Sequence, residues 1–493
     1  MLNRKDDDIR NWEVAYPEAA GIPSRAVLGF LDELEQKGLC MHGFAILKDG
    51  RILSEGYYAP FHANFAHRMF SASKSFTSAA IGLLQEEGKL SLNDRICIYF
   101  PDKLPKTGVH PYLLQTTIRD MLRMASPHKA TTYKLMECDD WVKTFFHVEP
   151  VRYPGTSFVY DTSATHVLAA LVERLSGMSL LEYLKIKVFN KLDCSRYISW
   201  LKCPMGICQG GSGLICTLRD LAKFAYVCMH EGVFNTDQLL PREYICQAVS
   251  RQIDTGLQPG IEEQQGYGYQ FWRCRNNGFA LCGMGGQLAI CLPEHDFMLA
   301  ATADNQANPC GIQGIYEALW HQIFPYLKGK NQAEINRDEA YATELEKRIS
   351  SLTVQPEQGS FHSDTAERVH GKKYIMAPNA MGITECMLKF TNEQTGVFRY
   401  ANEKGAYRIS FGLGQMQQQA FPQFKLQCIT SAAWVEENKL RLRSYIIEQE
   451  PGSVHMTITF MGDTITIAMK RTIGNLLDTY EGFASGVAEY ESR

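Results

Sequence analysis

The sequence predicts an α/β (α+β) architecture: an antiparallel sheet flanked by helices, an all-α lobe beside it, and a small all-β domain following. Three patterns carry this expectation. Strand signals at 43–58 and again at 266–302 bracket a long helical stretch, so one sheet must be assembled from distant segments. Asp49-Gly50 stands between two apolar runs, the favoured sequence for a two-residue hairpin turn. Beyond about residue 365 apolar and polar residues alternate with period two, as in Lys439–Ile447 and Val454–Phe460. The expected division is residues 1–330 as a first domain with its α lobe inserted at about 90–210. Residues 331–364 would form a helical linker, and residues 365–493 an antiparallel barrel or sandwich.

Taken in order, Ser24 to Glu35 reads as a helix with Val27, Leu28, Phe30, Leu31 and Leu34 on one face. Gly43–Leu47 and Arg51–Tyr58 are the hairpin strands. Phe70 to Gly88 reads as a buried amphipathic helix, with Phe76, Ala79, Ala80, Leu83 and Leu84 at helical spacing and Gly88 as its stop. Short helices follow at Ile118–Met124 and Leu180–Val188, and longer ones at Thr165–Leu175 and Leu218–Met229. Strands are expected at Gly266–Trp272, Gly278–Cys282, Gln287–Leu292 and Phe297–Thr302, then a helix at Ile315–Leu327. Lys328-Gly-Lys-Asn-Gln is a polar break before a charged helix from Glu334 to Ile349. Nothing in the C-terminal alternating region forms a recognisable catalytic grouping.

Composition narrows the function. With 493 residues, 45% hydrophobic and 21% charged, the chain has material for two or three ordinary globular cores. A net charge of −4 gives no footprint for nucleic acid or anionic membrane. The first ten residues are charged and precede no apolar core, so no secretory signal is expected. No apolar run of ~18 residues predicts a spanning helix. Fifteen cysteines are scattered through apolar surroundings without a Cys-x-x-Cys pair; Cys194, Cys203 and Cys208 are too loosely spaced for zinc. Reduced core thiols and a cytoplasmic location follow. His42, His62, His67 and His128 lack ligand spacing, so no metal or other cofactor is expected.

Three Ser-x-x-Lys sequences occur, and one turn of helix would bring such a hydroxyl and amine together. Pro127 pushes Ser126 out of helical geometry, and Pro204 leaves no helix to anchor Ser199 and Lys202. Ser71 and Lys74 open an anchored helix, whose unpaired N–H groups favour negative charge on the serine oxygen. Burial among Phe70, Phe76 and Ala79 would lower the amine toward a useful base. No Gly-x-Ser-x-Gly elbow offers a histidine-based alternative. Tyr160, just before the helix at Thr165, is a candidate proton carrier, although spacing alone favours a residue packing in the α lobe. Tyr267, Tyr269 and Trp272 read as a core strand that could also line a pocket.

These pieces resemble the serine β-lactamase-like superfamily, which includes class C β-lactamases, D-alanyl-D-alanine carboxypeptidases, penicillin-binding-protein-like hydrolases and related esterases. The resemblance runs in family order through about 300 residues: the Asp49-Gly50 hairpin, Ser71-Ala-Ser-Lys74, Thr117 to Ser126, Pro154-Gly-Thr with Tyr160, Gly210-Gly-Ser-Gly-Leu214, and Leu281-Cys-Gly-Met-Gly-Gly-Gln287. It implies a β-lactamase/transpeptidase-like fold, with Ser71 acylated, Lys74 its base and Tyr160 sharing their proton network. It places the oxyanion hole at the backbone N–H groups of Ser71 and Met284, and makes Ser126 a structural turn.

The sequence departs from the family twice. Tyr160-Asp161-Thr162 replaces Tyr-x-Asn, putting the Thr162 hydroxyl where a carboxamide would meet substrate. Leu281-Cys282-Gly283 replaces Lys-Thr-Gly or His-Thr-Gly and so loses the cation that faces a substrate carboxylate. The expectation is therefore a serine hydrolase of a small ester, amide or peptide, in the manner of the nylon-oligomer hydrolase and family VIII esterase branches. β-Lactamase activity should be weak or absent. Thr162 and Leu281 also suit a catalytically silent binding or scaffold protein using the same cleft. The β domain could cap that cleft or drive homo-oligomerisation.

Overall fold

A computed structural model describes residues 12–328, 335–473, 477 and 479–489. The charged first ten residues and most of the 328–332 break lie outside the described residues. The chain divides into two compact units, residues 1–352 and 353–493.

The first unit is built on a seven-stranded sheet. Its strands are β1 (Glu13–Val14), β2 (Met41–Lys48), β3 (Arg51–Tyr57), β4 (Trp272–Cys274), β5 (Gly278–Gly283), β6 (Gln287–Leu292) and β7 (Phe297–Ala303), in the order β1-β3-β2-β7-β6-β5-β4. All pairs are antiparallel except β1–β3. Asp49 and Gly50 both take positive φ, 51° and 70°, as a hairpin turn matching strand twist requires. The distant segments join where β7 pairs with β2, Ala300 opposite Ala45. β2, β6 and β7 are buried at every position, because helices cover both faces of a central strand.

Among its helices are α1 (Ser24–Gln36), α2 (Ser73–Glu86), α3 (Ile118–Leu122), α4 (Thr162–Ser176), α5 (Leu218–Met229), α6 (Gln313–Ala318) and α7 (Glu339–Ser350). α5 packs on β2, β6 and β7, while α2 packs against α4 in the helical lobe. The helix expected from Glu334 begins at Glu339, capped by Asp338, and packs on α1, where Arg348 pairs with Glu35. It therefore belongs to the first unit and is no free-standing linker.

Two helical readings change in detail. Leu180–Leu184 and α6 each pass into a π turn, Lys185–Phe189 and Leu319–Ile323. The strand expected at Gly266–Trp272 is mostly a folded loop, with only Trp272 in β4. Gly266 and Gln270 have φ of 107° and 67°, which bend the chain out of a regular strand, and a Cβ on Gly268 would lie 1.9 Å from the Ala248 carbonyl. Gln270 instead crosslinks the lobe, donating to Met121 and Leu122 carbonyls and accepting from Thr165.

The second unit is a barrel of ten strands: Lys373–Met376, Glu385–Asn392, Thr395–Asn402, Gly405–Leu413, Gln417–Ala420, Gln427–Glu436, Lys439–Ile446, Gly452–Met461, Thr464–Arg471 and Gly482–Ala488. Gly405–Leu413 closes on Gln427–Glu436 through the parallel pairs Gly412–Ser431 and Leu413–Ala432. Closure removes a sheet edge. Phe398, Phe411, Leu440, Ile458 and Ile467 fill its core.

Candidate active site

α2 is the centre of the first unit, and it is buried far more completely than an amphipathic helix requires. Every residue from Ser73 to Leu84 is buried. Its hydroxyl face is tolerated because tertiary partners satisfy it. Ser75 donates to the Gln270 carbonyl at 2.7 Å, Ser78 to Tyr269 at 2.7 Å and Thr77 to Gly210 at 2.8 Å, while Ser73 accepts from the Leu214 N–H at 3.0 Å. A 3₁₀ turn, Phe70–Ala72, precedes the helix and carries Ser71. Phe70 is left-handed (φ 43°), an uncommon state for a phenylalanine, and Met69 is pinned to the Leu214 carbonyl at 2.7 Å.

One turn on, the Lys74 amine is 1% exposed and donates to the Ser71 hydroxyl at 3.0 Å and the Gly211 carbonyl at 2.7 Å. Burial pulls this amine from its ordinary value down to about 7, against an opposing upward pull from Asp161. Near neutrality much of it is unprotonated, so the same contact can run in reverse with Ser71 donating. Gly210 and Gly211 thread between α2 and α4. A Cβ on Gly211 would lie 2.5 Å from the Thr162 methyl, and one on Gly210 2.5 Å from Ala169.

Tyr160 completes the cluster. The Lys74 amine sits 4.8 Å above its ring centroid, and the nearby Ser71 hydroxyl draws the phenol down against a larger upward push from burial. Burial holds the phenol above its ordinary range, so Tyr160 keeps its proton where Lys74 loses one. Trp272 stacks on its ring at 5.7 Å, with Tyr267 and Phe158 closing the same aromatic wall. Trp272 is thus half-buried at the site, whereas Tyr267 and Tyr269 are core residues. Asp161 caps α4, accepting from Ser163 N–H at 2.9 Å and from the Ser126 hydroxyl at 2.7 Å. That bond makes Ser126 a brace for the cap.

β5 brings the third segment in. A Cβ on Gly283 would lie 2.2 Å from the Met69 carbonyl, so the strand end runs directly along the serine turn. Met284, Gly285 and Gly286 then turn into β6 with φ of 82° and 110° at the two glycines. The buried Gln287 amide holds this turn, donating to the Met284 carbonyl at 3.1 Å and to Ala303 at 2.7 Å. Cys282 is half-buried, with its thiol pushed up to about 12 by burial. Leu281 departs from its expected role: it is fully buried in the apolar core and offers no side-chain surface to a substrate. Alternation along β5 sends it to the face opposite Cys282.

The structure thus brings Ser71, Lys74, Tyr160, Thr162, Cys282, Gly283 and Met284 together and leaves Leu281 behind. The Gly211 carbonyl, Asp161 and Gln287 escaped sequence reasoning. An Asp opening a helix is a readable cap signal, but Gln287 gives none. His42 and His67 are hydrogen-bonded to each other at 3.0 Å, and His42 stacks on Phe61. No group of three or more metal-ligating side chains, and no helix long and apolar enough to cross a membrane, occurs among the described residues.

The β-lactamase family model matches residues 31–309. A 6-aminohexanoate-dimer hydrolase of Paenarthrobacter ureafaciens is 25% identical over 276 residues, 52% of this chain and 70% of that protein. A Bacillus anthracis structure assigned as a 6-aminohexanoate-dimer hydrolase aligns with a TM-score of 0.54 at 19% identity, over 66% of this chain and 90% of its own. EstCE1, a hydrolase with promiscuous acyltransferase activity, aligns at 0.50 and 16% identity, over 60% and 98%. At those identities the two structures speak for the fold.

Proposed function

The chain belongs to the β-lactamase family and is a hydrolytic enzyme, and from that premise we propose that it cleaves small amides or esters through an acyl-enzyme on Ser71. The observation that carries this reading is the Lys74 amine, 3.0 Å from the Ser71 hydroxyl and lowered to about 7 by burial. An amine titrating near neutrality is matched to general-base work.

In this reading neutral Lys74 takes the Ser71 proton as Oγ attacks the carbonyl carbon. The tetrahedral oxyanion develops against the N–H groups of Ser71 and Met284, held in place by the Phe70–Ala72 turn and by Gln287. Tyr160, which retains its phenolic proton, hands a proton to the leaving amine or alkoxide, and Lys74 reprotonates it. Water then attacks the acyl-enzyme with Lys74 again the base, and the acid leaves. Each step uses this chain's own residues.

The substrate class follows from what the cleft lacks. Leu281 is buried and Cys282 is a neutral thiol, so neither supplies the charge-assisted contact that would read a β-lactam carboxylate. A linear amide, such as the one named for the Paenarthrobacter relative, suits the site better than a β-lactam. Treating wild type and Ser71→Ala with a fluorophosphonate probe and weighing the intact proteins tests the mechanism. One adduct on wild type and none on the variant is expected. Equal labelling of both, or none on wild type, would defeat the acyl-enzyme on Ser71.

A further inference from the structure

Asp161 places a carboxylate where a helix cap needs no charge. It directly follows Tyr160, is fully buried and forms no salt bridge among the described residues. Its donors are all neutral. The Ser126 hydroxyl bonds one oxygen at 2.7 Å, and the Ser163 N–H (2.9 Å) and hydroxyl bond the other. Asparagine or serine would cap α4 about as well without burying a charge, so capping alone does not account for the carboxylate.

The chain on both sides of Asp161 joins it to the reacting groups. Upstream, the turn that carries Ser126 is fastened to the segment leading to Tyr160. The Val151, Gly155 and Val159 N–H groups donate to the Pro127, Ala125 and Met124 carbonyls at 2.9, 2.8 and 2.8 Å. Downstream, Thr162 donates its N–H to Thr131 at 3.1 Å, and its methyl lies against Gly211. The Lys74 amine lies against both neighbours, 4.8 Å from the Tyr160 ring centroid and 2.7 Å from the Gly211 carbonyl oxygen. Burial is the main influence lowering that amine, and Lys134 adds to it; Asp161 gives the larger opposing pull and Cys282 the smaller. The other groups that feel this carboxylate are the His128 ring, the Arg152 guanidinium and the Tyr133 phenol.

We propose that Asp161 is a positioning residue for the reaction at Ser71: its buried carboxylate locks the Tyr160 segment to the Ser126 turn and is the countercharge for Lys74 once that amine has taken the Ser71 proton. The inference rests on the hydrolase reading of the same cleft. As the bond from Ser71 Oγ to the carbonyl carbon forms, the hydroxyl proton passes to Lys74 Nζ and a buried ammonium appears. A carboxylate already fixed by three hydrogen bonds offsets part of its desolvation without having to move.

The test compares Asp161→Asn, which keeps a capping oxygen and removes the charge, with Ser126→Ala, which removes the brace and no charge. In pH–rate profiles on a neutral ester, Asp161→Asn should move the rising limb to lower pH by about one unit and lower kcat about tenfold. Ser126→Ala should lower kcat with the limb in place. Asp161→Ser, a second neutral cap, should behave as Asp161→Asn does. Melting temperatures give a readout without turnover, through a cycle combining Asp161→Asn with Lys74→Met. At pH 6, where Lys74 is charged, Asp161→Asn should lower the melting temperature by about 1–3 °C more in the wild-type background than in the Lys74→Met background. At pH 9, where Lys74 is neutral, the two losses should match. His128, Arg152 and Tyr133 are present in every member of the cycle, so their response to Asp161 cancels. An unmoved limb, an equal shift in Ser126→Ala, or no excess loss at pH 6 overturns the proposal. Absent turnover and absent fluorophosphonate label on wild type would sink the hydrolase reading alone, because the melting cycle needs no catalysis.

Discussion

Lys74 and Ser71 lie 3.0 Å apart with the amine fully buried, so one contact both holds the nucleophile and sets the base. The amine titrates at about 7, lowered chiefly by burial. A base works when deprotonated, so kcat/KM should rise about tenfold per pH unit below that value and level off above it. A pH–rate profile on a neutral ester checks this. A profile flat from pH 5 to 8, or one falling with pH, would remove Lys74 as the base.

The same burial should destabilise the fold. The folded amine titrates near 7 against the 10.5 of an ordinary solvated lysine. Below pH 7 the native state therefore keeps a proton that burial disfavours, a penalty of about 5 kcal/mol. Between the two values the unfolded chain holds the extra proton, so wild-type stability rises with pH across that window. Lys74→Met lacks this dependence. It should be the more stable protein at pH 7 and inactive, with its advantage shrinking toward pH 10, as thermal melts of both proteins over pH 7–10 would show. A variant that is less stable throughout would mean that the bonds to Ser71 and Gly211 outweigh desolvation.

Much of this arrangement was legible in the sequence because local rules state it. Asp49-Gly50 fixes the hairpin, Gly88 ends α2, and α5 runs from Leu218 to Met229 as its apolar spacing requires. What was not legible depends on tertiary contacts. Gly266–Trp272 has strand composition, yet left-handed Gly266 and Gln270 bend it, and no local pattern announces that. Leu281 follows a family register, but only the pleat decides that its side chain enters the core. Gln287 reads as one more polar strand residue until its amide is seen to bridge two carbonyls.

Gly283 is where β5 and the serine turn meet most closely. An added Cβ would stand 2.2 Å from the Met69 carbonyl and 3.2 Å from the Ala72 nitrogen, both backbone atoms with no rotamer to move. Gly283→Ala should therefore push the Ser71 turn off β5 and lower kcat by about a hundredfold or more. Gly88→Ala is the control. That glycine also has positive φ, at 70°, but nothing lies within 4 Å of its Cβ position, so it should lose stability while its kcat stays close to wild type. Equal activity losses in the two variants would show that the close approach of Gly283 is not what matters.

Gln287 gives the sharpest separation of positioning from packing. Its amide is fully buried, and the two atoms it faces, the Met284 and Ala303 carbonyl oxygens, are both acceptors, which fixes the NH₂ end toward them. The opposite end, Oε1, then has no hydrogen-bond partner among the described residues. A buried acceptor left unpaired costs about 1–3 kcal/mol, so the residue is not optimal for stability alone. Methionine has nearly the same shape and neither donor nor orphaned acceptor. Gln287→Met should therefore melt no lower than wild type by more than a degree or two, yet free the Met284 turn. If that turn supplies an oxyanion donor, kcat falls about ten- to a hundredfold with KM little changed, and a boronic acid inhibitor that mimics the tetrahedral state weakens by a similar factor. A loss appearing in KM and melting temperature, with boronate affinity intact, would reduce Gln287 to a packing residue and move the oxyanion hole away from Met284.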